Sequence, residues 1–130
     1  ADATARAHAR TISAEMHAGF PALRGNMPMN VRCSFPGVGM TPEVKSDIAR
    51  IDAMWSDSLR RYGGPFLCGG FSIADAMYAP VATRFKTYAV ALSDASQRYA
   101  DSLLALPAMQ EWYAAAHAET EVLPQYEHRR

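Results

Sequence analysis

Apolar residues recur every three or four positions along most of this chain, a spacing that places them on one face of an α-helix. Residues with high helix propensity dominate, and the chain lacks the β-branched runs and two-residue alternation that are typical of strands. The pattern therefore predicts an all-α fold of about five helices.

The first predicted helix covers residues 2–27, with an apolar stripe that steps by three or four positions. Gly19 and Pro21 interrupt it, and proline inside a helix removes a backbone hydrogen bond and crowds the preceding turn. We therefore expect a kink near residues 18–20. Residues 25–40 then form a loop rich in Gly, Pro and Asn, and loops of this length are often functional or mobile.

The second predicted helix has the clearest boundaries. Thr41 caps it, Pro42 occupies its first position, and the Gly-Gly-Pro run at 63–65 ends it. Its buried stripe consists of Val44, Ile48, Ile51, Trp55, Leu59 and Tyr62. Three further helices are predicted over residues 73–90, 94–105 and 107–117.

The third predicted helix begins with a capping signal at Ser72. We expect the Ser72 side chain to accept a hydrogen bond from the Asp75 backbone N–H, while the Asp75 carboxylate reaches back to Ser72. Because residues 73–81 carry almost no charge apart from Asp75, this helix should be buried on most sides and form the centre of the bundle. Capping explains the carboxylate at this position, so Ser72 and Asp75 are assigned a structural rather than a catalytic role.

Composition narrows the classes of function. The 130 residues suit one domain with one core, and thirteen basic residues balance thirteen acidic ones. A chain without net charge has no long-range field for nucleic acid or anionic lipid, so neither is an expected partner. No apolar run is long enough for a membrane helix and no signal peptide is visible, which predicts a cytoplasmic protein. Cys33 and Cys68 lie in separate segments and are expected to be free thiols.

A family resemblance rests on three segments: residues 66–75 (Phe-Leu-Cys-Gly-Gly-Phe-Ser-Ile-Ala-Asp), 15–20 (Glu-Met-His-Ala-Gly-Phe) and 106–109 (Leu-Pro-Ala-Met). The first resembles the capping-box region that starts the central helix in the C-terminal domain of cytosolic glutathione transferases. The second is similar to a stretch in the first helix of that domain in bacterial beta-class enzymes, and the third is similar to the start of a late helix. Because their order and spacing agree with the family's helices, the resemblance covers essentially the whole chain.

The resemblance implies a helical domain over residues 1–118, followed by a tail over residues 119–130. It implies that the intact protein uses glutathione as a co-substrate, bound chiefly by an N-terminal thioredoxin-like domain that is absent from this chain. In such an enzyme the glutathione thiolate attacks an electrophilic carbon. The helical domain forms the pocket for a small hydrophobic electrophile and much of a homodimer contact. This chain would then contain no catalytic residue and would be inactive by itself.

The resemblance also indicates substrate-binding residues in the first helix. In the beta-class pattern the histidine that matches His17 lines the cleft near the glutathione sulfur, where an imidazole can stabilise a thiolate. Arg10 matches a polar position that contacts glutathione across the dimer, and a guanidinium there suits a carboxylate. The alternative is that His17 and Arg10 are ordinary polar residues on the exposed side of a helix.

Three further candidates lie at the far end of the central helix. The beta and zeta classes place groups facing the electrophile pocket there, which points to Arg84, Phe85 and Tyr88. The run Arg84-Phe85-Lys86 is similar to the Arg-Phe-Lys of the zeta class, whose arginine is expected to hold an acidic substrate. The alternative is that Phe85 and Tyr88 are core aromatics and that Arg84 pairs with a nearby acid.

Other functions remain open at the level of sequence. The histidines and carboxylates have no metal-ligand spacing, so no metal is expected. Helical domains of this family also occur without catalysis, as docking modules in proteins of the translation apparatus, and a protein-interaction module is therefore the main alternative. A third possibility is a carrier of apolar ligands.

Overall fold

The computed structural model describes residues 2–127, and within this range it contains only helices as regular elements. Two isolated bridges, Phe66 with Gly69 and Cys68 with Gly70, shape a tight turn without forming a strand. The helices are α1 (Ala3–Ala18), α2 (Pro21–Asn26), α3 (Pro42–Tyr62), α4 (Ile73–Thr87), α5 (Asp94–Leu104) and α6 (Pro107–Ala118), followed by the 3₁₀ helix Pro124–Tyr126. The predicted all-α fold is confirmed.

The first predicted helix is broken into two, which is why six α-helices replace the five expected. At the break, Phe20 adopts a left-handed conformation with φ of 57°. A Cβ on Gly19 would lie 2.5 Å from the Glu15 carbonyl oxygen, so only glycine fits there. Asp47 of α3 then accepts a hydrogen bond from the Leu23 backbone N–H at 2.9 Å, which satisfies a donor in the first turn of α2. The position of the predicted kink was right, but the helix ends there and a second helix begins, instead of one helix continuing through a kink.

Helix α3 has the boundaries that its sequence predicts. The Thr41 hydroxyl accepts a hydrogen bond from the Val44 backbone N–H at 3.3 Å, and Pro42 occupies the first helical position. Gly63 ends the helix in a left-handed conformation with φ of 76°, which glycine adopts without steric cost. The predicted stripe is buried from Val44 to Trp55, so the helix packs along most of its length.

Helix α4 lies at the centre of the bundle and packs against α1 and α5. Its N-terminus contains the predicted contact, since the Asp75 carboxylate accepts a hydrogen bond from the Ser72 backbone N–H at 2.8 Å. The helix ends at Thr87, three residues before the predicted end, because Ala89 adopts a left-handed conformation with φ of 52°. Val90 then donates its backbone N–H to the Phe85 carbonyl, which closes the turn.

The loop between α2 and α3 is fastened to the C-terminal end of α4 by a set of hydrogen bonds. They join the Arg84 Nε to the Met27 carbonyl, the Tyr88 hydroxyl to the Pro28 carbonyl, the Thr87 hydroxyl to the Asn30 carbonyl, and the Phe35 N–H to the Thr87 carbonyl. Bonds of this kind rigidify a segment that has little secondary structure of its own. The residues from 27 to 35 are therefore a tethered part of the core.

Three negative findings apply to residues 2–127. No helix in this range combines the length and apolarity needed to cross a bilayer. The same residues contain no group of three or more His, Cys, Asp and Glu side chains placed to hold a metal ion. Cys33 and Cys68 form no disulfide. The predicted tail is described up to Glu127, and its last three residues lie outside the described residues, as does Ala1.

A pH dependence follows from His8, whose Nε2 lies 2.8 Å from the hydroxyl of the buried Ser58. Burial, assisted by the charge of Arg61, lowers the pKa of His8 from its ordinary value of 6.5. The unfolded chain therefore binds a proton at a higher pH than the folded chain. This contribution to stability is complete above pH 6.5 and is lost as the pH falls below it.

We expect the urea concentration at the unfolding midpoint to decrease when the pH is lowered from about 7.5 to about 5.5. The decrease should be smaller in His8→Gln. The matched variant His17→Gln, at an exposed position on the same helix, should keep the full pH dependence. If the urea midpoint changed equally with pH in the wild type and in His8→Gln, the pH dependence could not be assigned to His8.

Candidate functional site

The predicted candidate Arg84 projects from the last turns of α4 toward the loop between α2 and α3. Its Nε donates to the Met27 carbonyl at 2.9 Å and its Nη1 donates to the Pro80 carbonyl at 3.3 Å. Both acceptors are neutral, and no carboxylate among residues 2–127 forms an ion pair with Arg84. The guanidinium is thus oriented by backbone oxygens, and no carboxylate in the described part of the chain neutralises its positive charge.

A second guanidinium, that of Arg24, lies near Arg84 because of the break between α1 and α2. Arg24 is exposed, and its Nη1 donates to the carbonyl of His17 at 3.1 Å. The pKa of Arg84 is lowered by burial first and by the charge of Arg24 second. A guanidinium stays protonated despite such a shift, so two like charges remain close together. An anion placed between them would relieve this repulsion.

Arg24 and Arg84 line the same open cleft, whose volume is about 700 Å³. Its other walls are mainly apolar and are formed by Pro21, Gly25, Pro28, Met29, Leu123 and Tyr126. Small-molecule sites combine apolar walls with a few convergent polar groups in this way. We call this space the arginine cleft.

The tail after α6 supplies one wall of the arginine cleft. The Arg32 guanidinium holds it at one end by donating to the carbonyls of Glu119 at 2.6 Å and Glu121 at 3.1 Å. At the other end the Asn30 amide donates to the Glu127 carboxylate at 3.0 Å. Between these points Leu123 and Tyr126 border both the arginine cleft and a smaller groove beside it. The tail is therefore part of the candidate site.

The two candidates on α1 lie on its exposed side. Arg10 and His17 are both exposed, seven residues apart on one helix, so they share a face. His17 is in the last turn of α1, and its carbonyl is the acceptor that positions Arg24. His17 therefore lies next to the residue that lines the arginine cleft, whereas Arg10 lies two helical turns away.

Phe85 and Tyr88 point into the core. Phe85 packs its ring against that of Trp55, with 5.5 Å between centroids. Tyr88 is fully buried, and its hydroxyl donates to the Pro28 carbonyl at 2.8 Å. Burial raises the pKa of Tyr88 to about 12. Neither residue lines the arginine cleft in the described structure, so their placement agrees with the alternative in which they are core aromatics.

Sequence reasoning missed Arg24, Leu123 and Tyr126. Arg24 carried no signal in the helical spacing, because the break between α1 and α2, and not a continuous helix, brings its guanidinium to the His17 carbonyl. Leu123 and Tyr126 carried no signal, because the tail has no periodicity and its position depends on the Arg32 and Asn30 contacts.

The comparison with known families agrees with this architecture. A family model described as the C-terminal domain of glutathione S-transferase matches residues 6–115, which run from α1 into α6. Searches of curated proteins and of solved structures found no match. The matched range includes the α1–α2 break, the Ser72–Asp75 cap and Arg84. The chain therefore belongs to the family of glutathione S-transferase C-terminal domains.

Proposed function

We propose that this domain provides the electrophile-binding side of a glutathione transferase-like protein, and that the electrophile carries a carboxylate or a similar anionic group. The observation that supports the anionic group is the pair formed by Arg24 and Arg84 on one cleft, with no salt bridge from a described carboxylate to either. The family match supports the transferase-like assignment.

The arginine cleft has the chemistry that such a ligand requires. Arginine presents N–H donors in a planar fork that matches the two oxygens of a carboxylate. The partial burial of Arg84 reduces competition from water, which strengthens an ion pair formed there. Met29, Leu123 and Tyr126 would contact the apolar body of the electrophile. A small organic anion with an apolar ring or chain therefore fits better than a neutral or cationic molecule.

In this proposal glutathione is the co-substrate, and a thioredoxin-like domain supplies most of its binding site. The thiolate sulfur attacks the electrophilic carbon, the new carbon–sulfur bond forms, and the leaving group departs with its electron pair. His17 and Arg10, on the exposed face of α1, are the residues proposed to face glutathione. A homodimer through the helical domain and action in the cytoplasm belong to the same proposal.

Binding to the chain itself tests the anionic specificity without the thioredoxin-like domain. We expect 4-fluoro-3-nitrobenzoate to bind more tightly than 4-fluoro-3-nitrobenzamide, which has nearly the same shape without the charge. Arg24→Gln should weaken benzoate binding about threefold to tenfold, and Arg84→Gln should weaken it about tenfold or more. Isothermal titration calorimetry measures both. Arg84→Lys, which keeps the charge but loses the fork, should lie between the wild type and Arg84→Gln.

The matched control is Arg98→Gln on α5, which removes an exposed arginine outside the arginine cleft and should leave benzoate binding unchanged. Equal affinity for the benzoate and the benzamide would contradict the anionic specificity. If Arg98→Gln weakened benzoate binding as much as Arg24→Gln does, the benzoate could not be assigned to the arginine cleft.

The alternative, a non-catalytic interaction module of the same fold, is favoured by a different surface. Phe71 and Ile73 are 57% and 58% exposed beside the cap of α4, and Phe71 packs edge-on against Phe66. Large exposed apolar side chains of this kind are common where proteins dock. Absence of any ligand binding in the arginine cleft would favour this second function.

A further inference from the structure

A separate cavity lies on the other side of α4, between α4, α5 and the start of α6. Its volume is about 320 Å³, and it shares no lining residue with the arginine cleft. The floor is apolar and is formed by Ala82, Phe85, Val90, Ala100 and Leu104, all of which are buried. This volume is at the lower end of the range for ligand pockets, which limits the ligand to a small molecule.

The mouth of this cavity carries one positive and one negative side chain. Lys86 approaches from α4 and Asp101 approaches from α5, and both are exposed. Neither forms an ion pair with another residue in the described part of the chain. A ligand can therefore meet both charges without breaking a salt bridge.

Both charged groups are held in place by neighbours that leave their charge available. The Lys86 ammonium lies 5.2 Å from the ring centre of the buried Tyr113, which restrains it without neutralising it. The Asp101 Oδ1 accepts a hydrogen bond from the Gln97 amide at 2.9 Å, one turn earlier on α5. The second carboxylate oxygen can accept a further bond.

We propose that this cavity binds a small apolar zwitterion, an α-amino acid with an aromatic or branched aliphatic side chain. The ligand carboxylate faces Lys86, the ligand ammonium faces Asp101, and the side chain lies on the floor beside Phe85 and Leu104. A simple anion would be repelled by Asp101 and a simple cation by Lys86, whereas the zwitterion satisfies both. The proposal is independent of the function assigned to the arginine cleft.

The test compares L-phenylalanine with phenylacetate and 2-phenylethylamine, each of which lacks one of its two charges. Calorimetry should give a dissociation constant for L-phenylalanine in the millimolar range or below, and binding about tenfold weaker for each of the other two. Methyl NMR signals of Val90 and Leu104 should shift on titration, since both side chains line the cavity.

Two variants at exposed positions should each abolish one part of the preference for L-phenylalanine without unfolding the protein. Lys86→Gln should weaken L-phenylalanine about tenfold and remove its advantage over 2-phenylethylamine. Asp101→Asn should remove its advantage over phenylacetate. Lys45→Gln, which changes the other lysine of the chain on α3, is the matched control and should bind as the wild type does.

Several results would overturn the proposal. They are absence of saturable binding of L-phenylalanine in the millimolar range, equal affinity for all three probes, and unchanged binding in both Lys86→Gln and Asp101→Asn. A loss of binding in Lys45→Gln equal to that in Lys86→Gln would place the ligand elsewhere. Circular dichroism of each variant checks that the helical fold is intact.

Discussion

Replacing Asp75 with alanine should lower the free energy of unfolding by about 3 to 5 kcal/mol, because four hydrogen bonds to one buried carboxylate are lost together. The Oδ1 atom accepts from the Leu67 backbone N–H and from the Tyr99 hydroxyl, both at 3.0 Å. The Oδ2 atom accepts from the backbone N–H and the hydroxyl of Ser72. Asp75 thereby joins the turn before α4, the start of α4 and the middle of α5.

The loss of stability is large because the buried donors cannot form replacement hydrogen bonds with water. Asp75 and Leu67 are fully buried and Tyr99 is 2% exposed, so the variant leaves polar hydrogens without an acceptor in the interior. Asp75→Asn should lower the free energy of unfolding nearly as much, by about 2 to 4 kcal/mol. The asparagine NH₂ group would replace one of the two acceptor oxygens and would then oppose two hydrogen-bond donors.

Urea unfolding followed by circular dichroism measures these losses. The matched control is Asp94→Ala, which removes an exposed carboxylate from the first turn of α5 and should cost less than about 1 kcal/mol. A similar loss for Asp75→Ala and Asp94→Ala would show that Asp75 contributes only as a local helix cap.

The second large effect is expected at Trp55, the fully buried tryptophan of α3. Its ring makes edge contacts with Tyr78, Phe85 and Tyr99, at centroid distances of 5.8, 5.5 and 4.9 Å. These rings come from α4 and α5, so Trp55 connects three helices through the core. Trp55→Ala should lower the free energy of unfolding by about 3 to 5 kcal/mol, because it leaves a cavity that the surrounding rings cannot fill.

Trp55→Phe separates packing from hydrogen bonding. The Trp55 Nε1 atom is buried and has no hydrogen-bond partner in the described structure, so phenylalanine sacrifices no bond. We expect a loss of only about 1 to 2 kcal/mol, caused by the smaller ring volume. Trp112→Ala, at a position that is 40% exposed, should cost less than about 1 kcal/mol in the same urea experiment. A loss in Trp55→Ala no greater than in Trp112→Ala would contradict the central role of Trp55.

The elements that were predicted correctly are those whose signals are local. Thr41, Pro42 and Gly63 set the ends of α3 through bonds and dihedral angles within a few residues, so neighbouring sequence was sufficient. The same is true of the Ser72–Asp75 contact, which spans one turn. At residue 20 the predicted kink is a complete break between two helices, and at residue 89 the predicted helix end was wrong by three residues; at both positions a non-glycine residue adopts a left-handed conformation.

The candidate site was predicted only in part. Arg84 was identified through a family resemblance, and it lines the arginine cleft. Phe85 and Tyr88 follow Arg84 by one and four positions, but they point into the core. Residues this close in sequence can contact different neighbours once other helices pack around the helix. The α1–α2 break places Arg24 at the site, and contacts with Arg32 place the tail there. Neither position follows from the periodicity of the sequence.

The sequence by itself determined the all-α fold, the limits of α3, the cap of α4 and the family to which the chain belongs, because these depend on spacing and on contacts within a few residues. Tertiary structure decided which charges meet. Arg24 and Arg84 are 60 positions apart in the chain and share a cleft, and Lys86 and Asp101 flank a cavity on the other side of α4. Such pairs arise from how helices pack, a long-range property that local patterns of apolar and polar residues do not specify.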